Sequence, residues 1–350
     1  MRNFILENIY NYFFKKKFDT KYTLDKDIYH KIYHHSKNRL FKTSFGKKNK
    51  NKVFFVIKRT PGGGFFSNFI FILKWINFAL KKKYIPVVDM KNFPTKYNEK
   101  NNIKNIKNVW EIYFDQISNY KLKDIYKSKN VIFCKERLNA SLNDYKRLDL
   151  KKIYNNKIKI KKEILDSAKN FFKRNLKNKK KIRIIGIHFR GTDQKITPGH
   201  YLPPTIYDIK LLVDKRIRDN IPFKIFLVTE EKKYLEYLKK EYKNYVYYLP
   251  SFRADKVSDF NNSKRKFHRN RLGIESLKEA LILSFCDEII YCKSNIPLFS
   301  FLITKKRIIK TLINHGLNSY NPLFSFFKWR VIILPISFLK YLTYKIFLFS

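Results

Sequence analysis

The feature that most restricts the fold of this chain is a strand that runs straight into a glycine loop and out into a helix. Residues 53–57 (Val-Phe-Phe-Val-Ile) form an unbroken apolar stretch between Lys52 and Lys58, the pattern of a strand covered on both faces in a parallel sheet. Pro61-Gly62-Gly63-Gly64 follows, and across residues 65–81 Phe69, Leu73, Ile76 and Leu80 recur at helical intervals. Residues 84–89 read as a second strand. A β-loop-α-β unit of this kind commits the chain to a parallel α/β architecture.

The second half restarts the same grammar. Residues 182–189 read as a strand, 205–218 as a helix and 223–228 as a strand that ends at Thr229-Glu230. A helix over 232–241, a strand over 245–249, a helix over 276–285 and a strand over 288–292 follow, and then a turn over 293–297. Two Rossmann-like domains are expected, with a charged helix over 157–178 and its basic run leading into the boundary. The organisation read from this pattern is a basic, aromatic extension over 1–50, an α/β domain over 51–178, a Rossmann-like domain over 179–322 and a basic, aromatic helical tail over 323–350.

Charge constrains partners more than fold. The 350 residues hold 76 Lys and Arg against 28 Asp and Glu, a formal net charge of +48. Nucleic acid, an anionic membrane surface and anionic glycans all suit such a surface, and a compositional bias toward Lys, Asn, Ile, Phe and Tyr accounts for much of it. Neither RNA-binding motifs nor a zinc signature is present, so a nucleic-acid-binding protein without catalysis stands as the alternative. Cys134, Cys286 and Cys292 set no disulfide framework and point to a reducing compartment. The N-terminus lacks the apolar core of a secretory signal, because Glu7 and Asn8 interrupt it. His30, His34 and His35 lack the companions a metal site needs and read as a surface cluster. Residues 323–349 are apolar but broken by Lys328, Arg330, Lys340 and Lys345, which reads as an interfacial or core-capping segment, not a span.

Chemistry concentrates at two turns. Gly62-x-Gly64-x-x-Ser67 is a degenerate dinucleotide fingerprint without its third glycine, although Asp89 lies at the end of the next strand, so a nicotinamide-type enzyme is a further alternative. The same glycines equally suit a tight turn that needs positive φ. The second turn is sharper. His188-Phe189-Arg190-Gly191-Thr192-Asp193 leaves a strand at its carboxyl end, where open α/β sheets bind ligands, and alternation puts His188 and Arg190 on one face with Phe189 on the other. Arg190 offers a planar fork suited to a diphosphate, and a loop-tying pair with Asp193 is the competing reading.

His188-x-Arg190-x-x-Asp193, the upstream glycine loop with Asn68, and the segment from Glu279 to Asn295 together resemble the inverting fucosyltransferases of GT-B architecture. The likeness spans about residues 53–310 and is strongest to the α-1,6-fucosyltransferase group that includes the nodulation-type enzymes. Protein O-fucosyltransferases and α-1,2-fucosyltransferases are more distant. It implies two Rossmann-like domains facing each other across a cleft, and transfer of fucose from GDP-fucose to a glycan, without a metal or other cofactor. Arg190 then takes the β-phosphate, while the His188 main chain and Glu279, which stands where an Asp is usual, take guanine. Ser294 and Asn295 match a phosphate-contacting turn, and Gly63, Gly64 and Asn68 match the loop that faces the nucleotide. The base that deprotonates the acceptor is a Glu in the α-1,6 enzymes. Here Pro198 stands near that place, which leaves Asp193 and His200 as candidates. The implied partners are a nucleotide sugar, a glycan acceptor such as a bacterial surface polysaccharide or glycolipid, and an anionic membrane. The implied setting is the cytoplasm, peripheral to the inner membrane face.

Overall fold

The computed structural model describes residues 26–136, 142–176, 182–220, 222–254 and 263–349. The chain start lies outside the described residues, as does the boundary expected at 178–179, but residues 142–155 and 160–176, expected in the first domain, group with the second unit. Two compact units emerge: one lies within residues 1–140 with 156–159 and 269–273, the other within 141–155, 160–268 and 274–350.

The first unit holds a four-stranded sheet in the order β1-β4-β2-β3, with β1 Phe41–Thr43, β2 Lys48–Ile57, β3 Ile85–Val88 and β4 Ser128–Phe133. β2 runs parallel to β3 and β4, as the glycine-loop unit requires, but β1 is antiparallel to β4 and makes the sheet mixed. Phe54 and Val56 point to one face, against Val87, Val131 and Phe133. Tyr29 and Ile32 of the helix Lys26–His35 join that cluster, so residues 26–50 are built into the unit and do not stand apart as an extension. Burying Ile32 alone contributes about 2 kcal/mol. Phe55 points to the other face, with its ring 5.5 Å from Trp75 and 5.4 Å from Phe78 of the helix Phe65–Lys81.

The second unit holds five parallel strands in the order β7-β6-β5-β8-β9: β5 Arg183–Phe189, β6 Phe223–Thr229, β7 Val246–Tyr247, β8 Glu288–Tyr291 and β9 Ile309–Leu312. Counted within the unit this is 3-2-1-4-5, the doubly wound order, and its switch point lies between β5 and β8. Ile185, Ile187 and Phe189 pack on the helices Ile206–Arg218 and Lys232–Tyr242. On the opposite face Gly186 meets the helix His268–Leu283 so closely that a Cβ there would lie 2.5 Å from Leu283. Only glycine permits that approach.

Several elements depart from the sequence reading, among them the helix expected over 157–178, which begins at Lys162, and the strand expected over 245–249, which is only Val246–Tyr247. The helix expected over 276–285 starts at His268, because the Glu99 carboxylate accepts from the backbone N–H of Arg269 (2.5 Å) and Asn270 (3.1 Å). The turn expected over 293–297 is the first turn of a helix, Asn295–Ile303, in which Pro297 is tolerated near the start. β9 carries a mostly exposed Ile-Lys-Thr-Leu with no strand signature. The tail is helical from Pro322, and its stretch Pro322–Phe347 is long and apolar enough to cross a membrane by length and composition. Its cations therefore do not exclude a span, as their spacing suggested: mean hydropathy reaches 1.5 over an 18-residue window of which 17% is buried.

Candidate functional site

The carboxyl ends of β5, β6 and β8 gather the polar residues of the second unit. His188, the penultimate residue of β5, is 1% exposed, and burial, then the charge of Arg190, push its imidazole down to about 3. It is neutral at any physiological pH. Its Nδ1 has no hydrogen-bond partner among the described residues. Phe189 points the other way and stacks on Tyr234, with ring centres 3.5 Å apart, so the alternation expected of this strand is present.

Arg190 leaves the strand end with two of its donors committed to Asp193, Nε to Oδ1 at 3.2 Å and Nη2 to Oδ2 at 2.9 Å. Burial works against ionisation of Asp193, but the Arg190 charge and hydrogen bonds outweigh it and hold the carboxyl below its ordinary range. A carboxylate held this way is a weak base. Glu230, just after β6, behaves oppositely: burial raises its pKa, Arg190 offsets part of the rise and Asp193 adds to it. Its Oε1 lies 3.7 Å from Arg190 Nε and accepts from the Thr192 hydroxyl at 2.5 Å. His200 is exposed, and partial desolvation lowers its pKa, with Asp193 pulling upward and Arg190 downward. It is the neutral, accessible base of the group.

Glu279, inside the helix His268–Leu283, is buried and faces Arg253 across 3.5 Å, with side chains 9% and 6% exposed. Burial pushes the Glu279 carboxyl up to about 7 against the lowering charge of Arg253, and burial lowers Arg253 in turn. Neither Glu279 Oε1 nor Arg253 Nε and Nη2 has a hydrogen-bond partner among the described residues, so this is an ion pair without bonding alignment. The backbone N–H of Ala254 donates to the Glu230 carbonyl at 2.9 Å, which ties the Arg253 loop to the end of β6. Ser294 caps the helix Asn295–Ile303 by position only: its buried hydroxyl makes no capping bond and has no partner among the described residues. Asn295 begins that helix, half-buried.

Each buried polar atom left unpaired costs about 1–3 kcal/mol. Five such atoms, on His188, Arg253, Glu279 and Ser294, therefore mark where a polar ligand would repay that cost. A helix N-terminus with an unspent hydroxyl suits an anion, and a carboxylate beside a guanidinium suits a heterocycle edge with donors and acceptors. Arg253 and Glu230 escaped the sequence reading. Glu230 carried a signal, its place directly after a strand, whereas nothing in the loop around Arg253 pointed to a site.

The glycine loop of the first unit is built differently. Asn68 turns inward, where its Oδ1 accepts from Gly63 N at 2.8 Å and its Nδ2 donates to Gly63 O at 3.3 Å. The side chain expected to face a nucleotide is thus spent on bracing its own loop. Gly62, at φ +71°, is the residue the turn requires, while Gly64 at φ −63° is not constrained to be glycine. Asp89 is also spent: it accepts from the backbone of Lys91 and Asn92, from Asn92 Nδ2 at 2.7 Å and from Tyr126 OH at 2.6 Å. The ribose acceptor of the nicotinamide reading is therefore a structural carboxylate. Among the described residues no three His, Cys, Asp or Glu side chains are grouped to hold a metal ion, and the three cysteines are buried.

No protein-family model matches the chain, and no curated protein matches it. Among solved structures it is similar to NodZ α-1,6-fucosyltransferase soaked with GDP-fucose, at 17% identity over 72% of this chain and 93% of that one, with a TM-score of 0.47. It is also similar to fucosyltransferase NodZ from Bradyrhizobium, at 15% identity over 72% and 94% with a TM-score of 0.45. An Arabidopsis thaliana FUT1 mutant in complex with GDP aligns at 10% identity over 74% and 70%, with a TM-score of 0.40. Likenesses this slight leave the site to be read from its own residues.

Proposed function

We propose that the chain is a glycosyltransferase of GT-B type that moves fucose from GDP-fucose to a glycan hydroxyl with inversion. The observation that carries the reading is the set of buried polar atoms on His188, Arg253, Glu279 and Ser294 that lack hydrogen-bond partners among the described residues, in the unit whose 3-2-1-4-5 sheet ends one strand just before Arg190. The His188-x-Arg190-x-x-Asp193 motif supplies the choice of donor through its resemblance to the inverting fucosyltransferases.

On this reading guanine lies against His188 and the Glu279–Arg253 pair, and the diphosphate lies against Arg190 and the N-terminus of the helix Asn295–Ile303. The acceptor oxygen attacks the anomeric carbon of fucose from the face opposite the diphosphate. The bond from that carbon to the β-phosphate oxygen breaks, its electron pair leaves on GDP, and the acceptor proton passes to His200. Arg190 and the helix dipole hold the departing charge, so the transfer needs no metal. Asp193 serves as the positioning partner of Arg190. The acceptor is an anionic glycolipid or surface-polysaccharide intermediate on the cytoplasmic side.

Two measurements test the proposal. Calorimetry with GDP, UDP and NAD should show binding of GDP alone, and binding of none would remove the donor site. Incubation with a panel of nucleotide sugars should release GDP from GDP-fucose without an acceptor. Release from a different donor would keep the site and overturn fucose.

A further inference from the structure

The helical tail is built with its polar side inward. Ser325, Trp329, Ser337 and Tyr341, spaced by one or two helical turns, form its buried stripe. Three of them are held by polar bonds: Ser325 Oγ donates to Ile196 O at 3.0 Å, Trp329 Nε1 to Pro203 O at 3.0 Å, and Tyr341 OH to Asp214 Oδ2 at 2.8 Å, while the Ser337 hydroxyl is buried without a hydrogen-bond partner among the described residues. Lys345 Nζ reaches the same Asp214 oxygen at 3.0 Å. The outward side is apolar, with Leu323 77%, Phe327 53%, Val331 65%, Leu339 59% and Phe347 76% exposed. Scattered exposed apolar residues are ordinary, but a continuous outward row along one helix marks an interaction surface.

The charges around this row select its partner. Arg330 and Lys340 are exposed and bracket the apolar stretch 331–339, and Lys215 and Arg218 reach the Tyr344 ring at 5.6 and 5.9 Å from the helix Ile206–Arg218. Cations beside outward Phe and Leu match the boundary between acyl chains and anionic headgroups, where basic stems lie along apolar surface and their heads stay in water. A protein groove would have to be apolar and strongly acidic at once. The inward polar bonds also oppose spanning, since a helix that left the unit to cross hydrocarbon would strip Asp214 of Tyr341 and Lys345.

We infer that the tail docks the second unit onto an anionic bilayer, lying in the plane of the headgroups with its Leu323-to-Phe347 row in the acyl boundary. This goes beyond the donor-site reading and stands or falls apart from it.

The test uses the full chain. The native thiols are buried, so an environment-sensitive dye on Leu339→Cys labels the row selectively. Its emission should shift to the blue with phosphatidylcholine vesicles that contain phosphatidylglycerol, and much less with phosphatidylcholine alone. High salt should reverse the shift. Changing Arg330 and Lys340 together to Glu should weaken partition by at least about tenfold. No shift with anionic vesicles, or an equal shift with neutral ones, overturns the inference. A shift without lipid that grows with protein concentration assigns the row to a second copy and overturns it too. Retention of the protein in cell membranes through alkaline carbonate extraction would mean a true span and would likewise overturn in-plane docking. GDP binding, measured in the same samples, reports the donor site independently.

Discussion

The glycine loop of the first unit and the strand ends of the second share one local design, a parallel strand that turns sharply toward a helix. They differ in how their polar groups are spent. In the loop, Asn68 closes on Gly63, the Arg59 guanidinium donates to Ser67 O at 2.8 Å, and Asp89 after the next strand is saturated by four donors. At the strand ends, His188, Arg253, Glu279 and Ser294 have buried side chains with atoms that lack a hydrogen-bond partner among the described residues. A buried polar group that is satisfied specifies the fold, whereas one left unsatisfied is a cost that persists only where something else repays it. Under the proposed function the contrast puts architecture in the first region and ligand in the second.

The sharpest way to break that assignment is Arg190→Ala. If Arg190 holds the departing diphosphate as proposed, losing its charge should lower turnover of the donor about 10²–10³-fold while the unfolding transition stays cooperative. Arg190→Lys should recover only part, because an ammonium cannot reproduce the fork that Asp193 orients. Undiminished GDP release from the Ala variant would return Arg190 to the structural side of the comparison.

Glu279 provides the next largest effect, in pH dependence. Its carboxyl is raised to about 7, so near neutrality the unliganded site is about half protonated. A guanine edge that donates to it favours the ionised form, and binding must then release a proton. GDP affinity should rise with pH and fall about tenfold for each unit below 7. Glu279→Gln should flatten that profile. The same shift acts on stability with a definite sign: the folded carboxyl holds its proton more tightly than the unfolded one, so its contribution is present below about 4.5 and is lost as pH rises through 7. His188 runs the other way. Its folded pKa of about 3 lies below the unfolded 6.5, so its contribution disappears as pH falls through that interval. An acid limb in GDP binding that survives Glu279→Gln would assign the proton to another group.

Much of this contrast is legible in the sequence, and the illegible part has a common cause. Local pattern placed β2, β5, β6, the helix Phe65–Lys81 and the strand-end position of Arg190, because apolar runs and helical spacing are encoded within a few residues. Whatever depends on partners distant in the chain was hidden. The start of the helix His268–Leu283 is fixed by Glu99, some 170 residues away, and Arg253 enters the site only because its loop pairs with Glu230 and Glu279. Asn68 lies in the expected loop, but sequence shows only that an amide is present and not that it turns onto Gly63. β9 escaped for the opposite reason: an exposed edge of four residues has no pattern to read.

The first unit's side of the comparison is sharpened by Asn68→Ala. Removing both of its bonds to Gly63 leaves half-buried backbone groups without their partner, and stability should fall by about 1 kcal/mol in chemical denaturation. The KM for the donor should change less than about twofold, because the side chain acts on its own loop. A loss of donor affinity with unchanged stability would mean that Asn68 belongs with the ligand-facing group after all.

The smallest effect is expected at Gly64, one of two glycines that look interchangeable. At Gly62, φ is +71° and an added Cβ would lie 2.5 Å from Asn68 Oδ1, so Gly62→Ala meets both backbone strain and a clash with the brace of the loop. It should cost about 1–2 kcal/mol from the left-handed conformation alone. At Gly64 the backbone is extended, φ −63° and ψ 164°, and no atom lies within 4 Å of a Cβ. There Ala reduces the entropy of the unfolded chain by about 0.4–1 kcal/mol, which offsets its poorer performance at a helix N-cap. Gly64→Ala should therefore shift stability by less than about 0.5 kcal/mol. If Gly64→Ala instead left stability alone and abolished GDP binding, the missing Cβ would be serving close approach of a ligand, and the loop would have to move to the other side of the comparison.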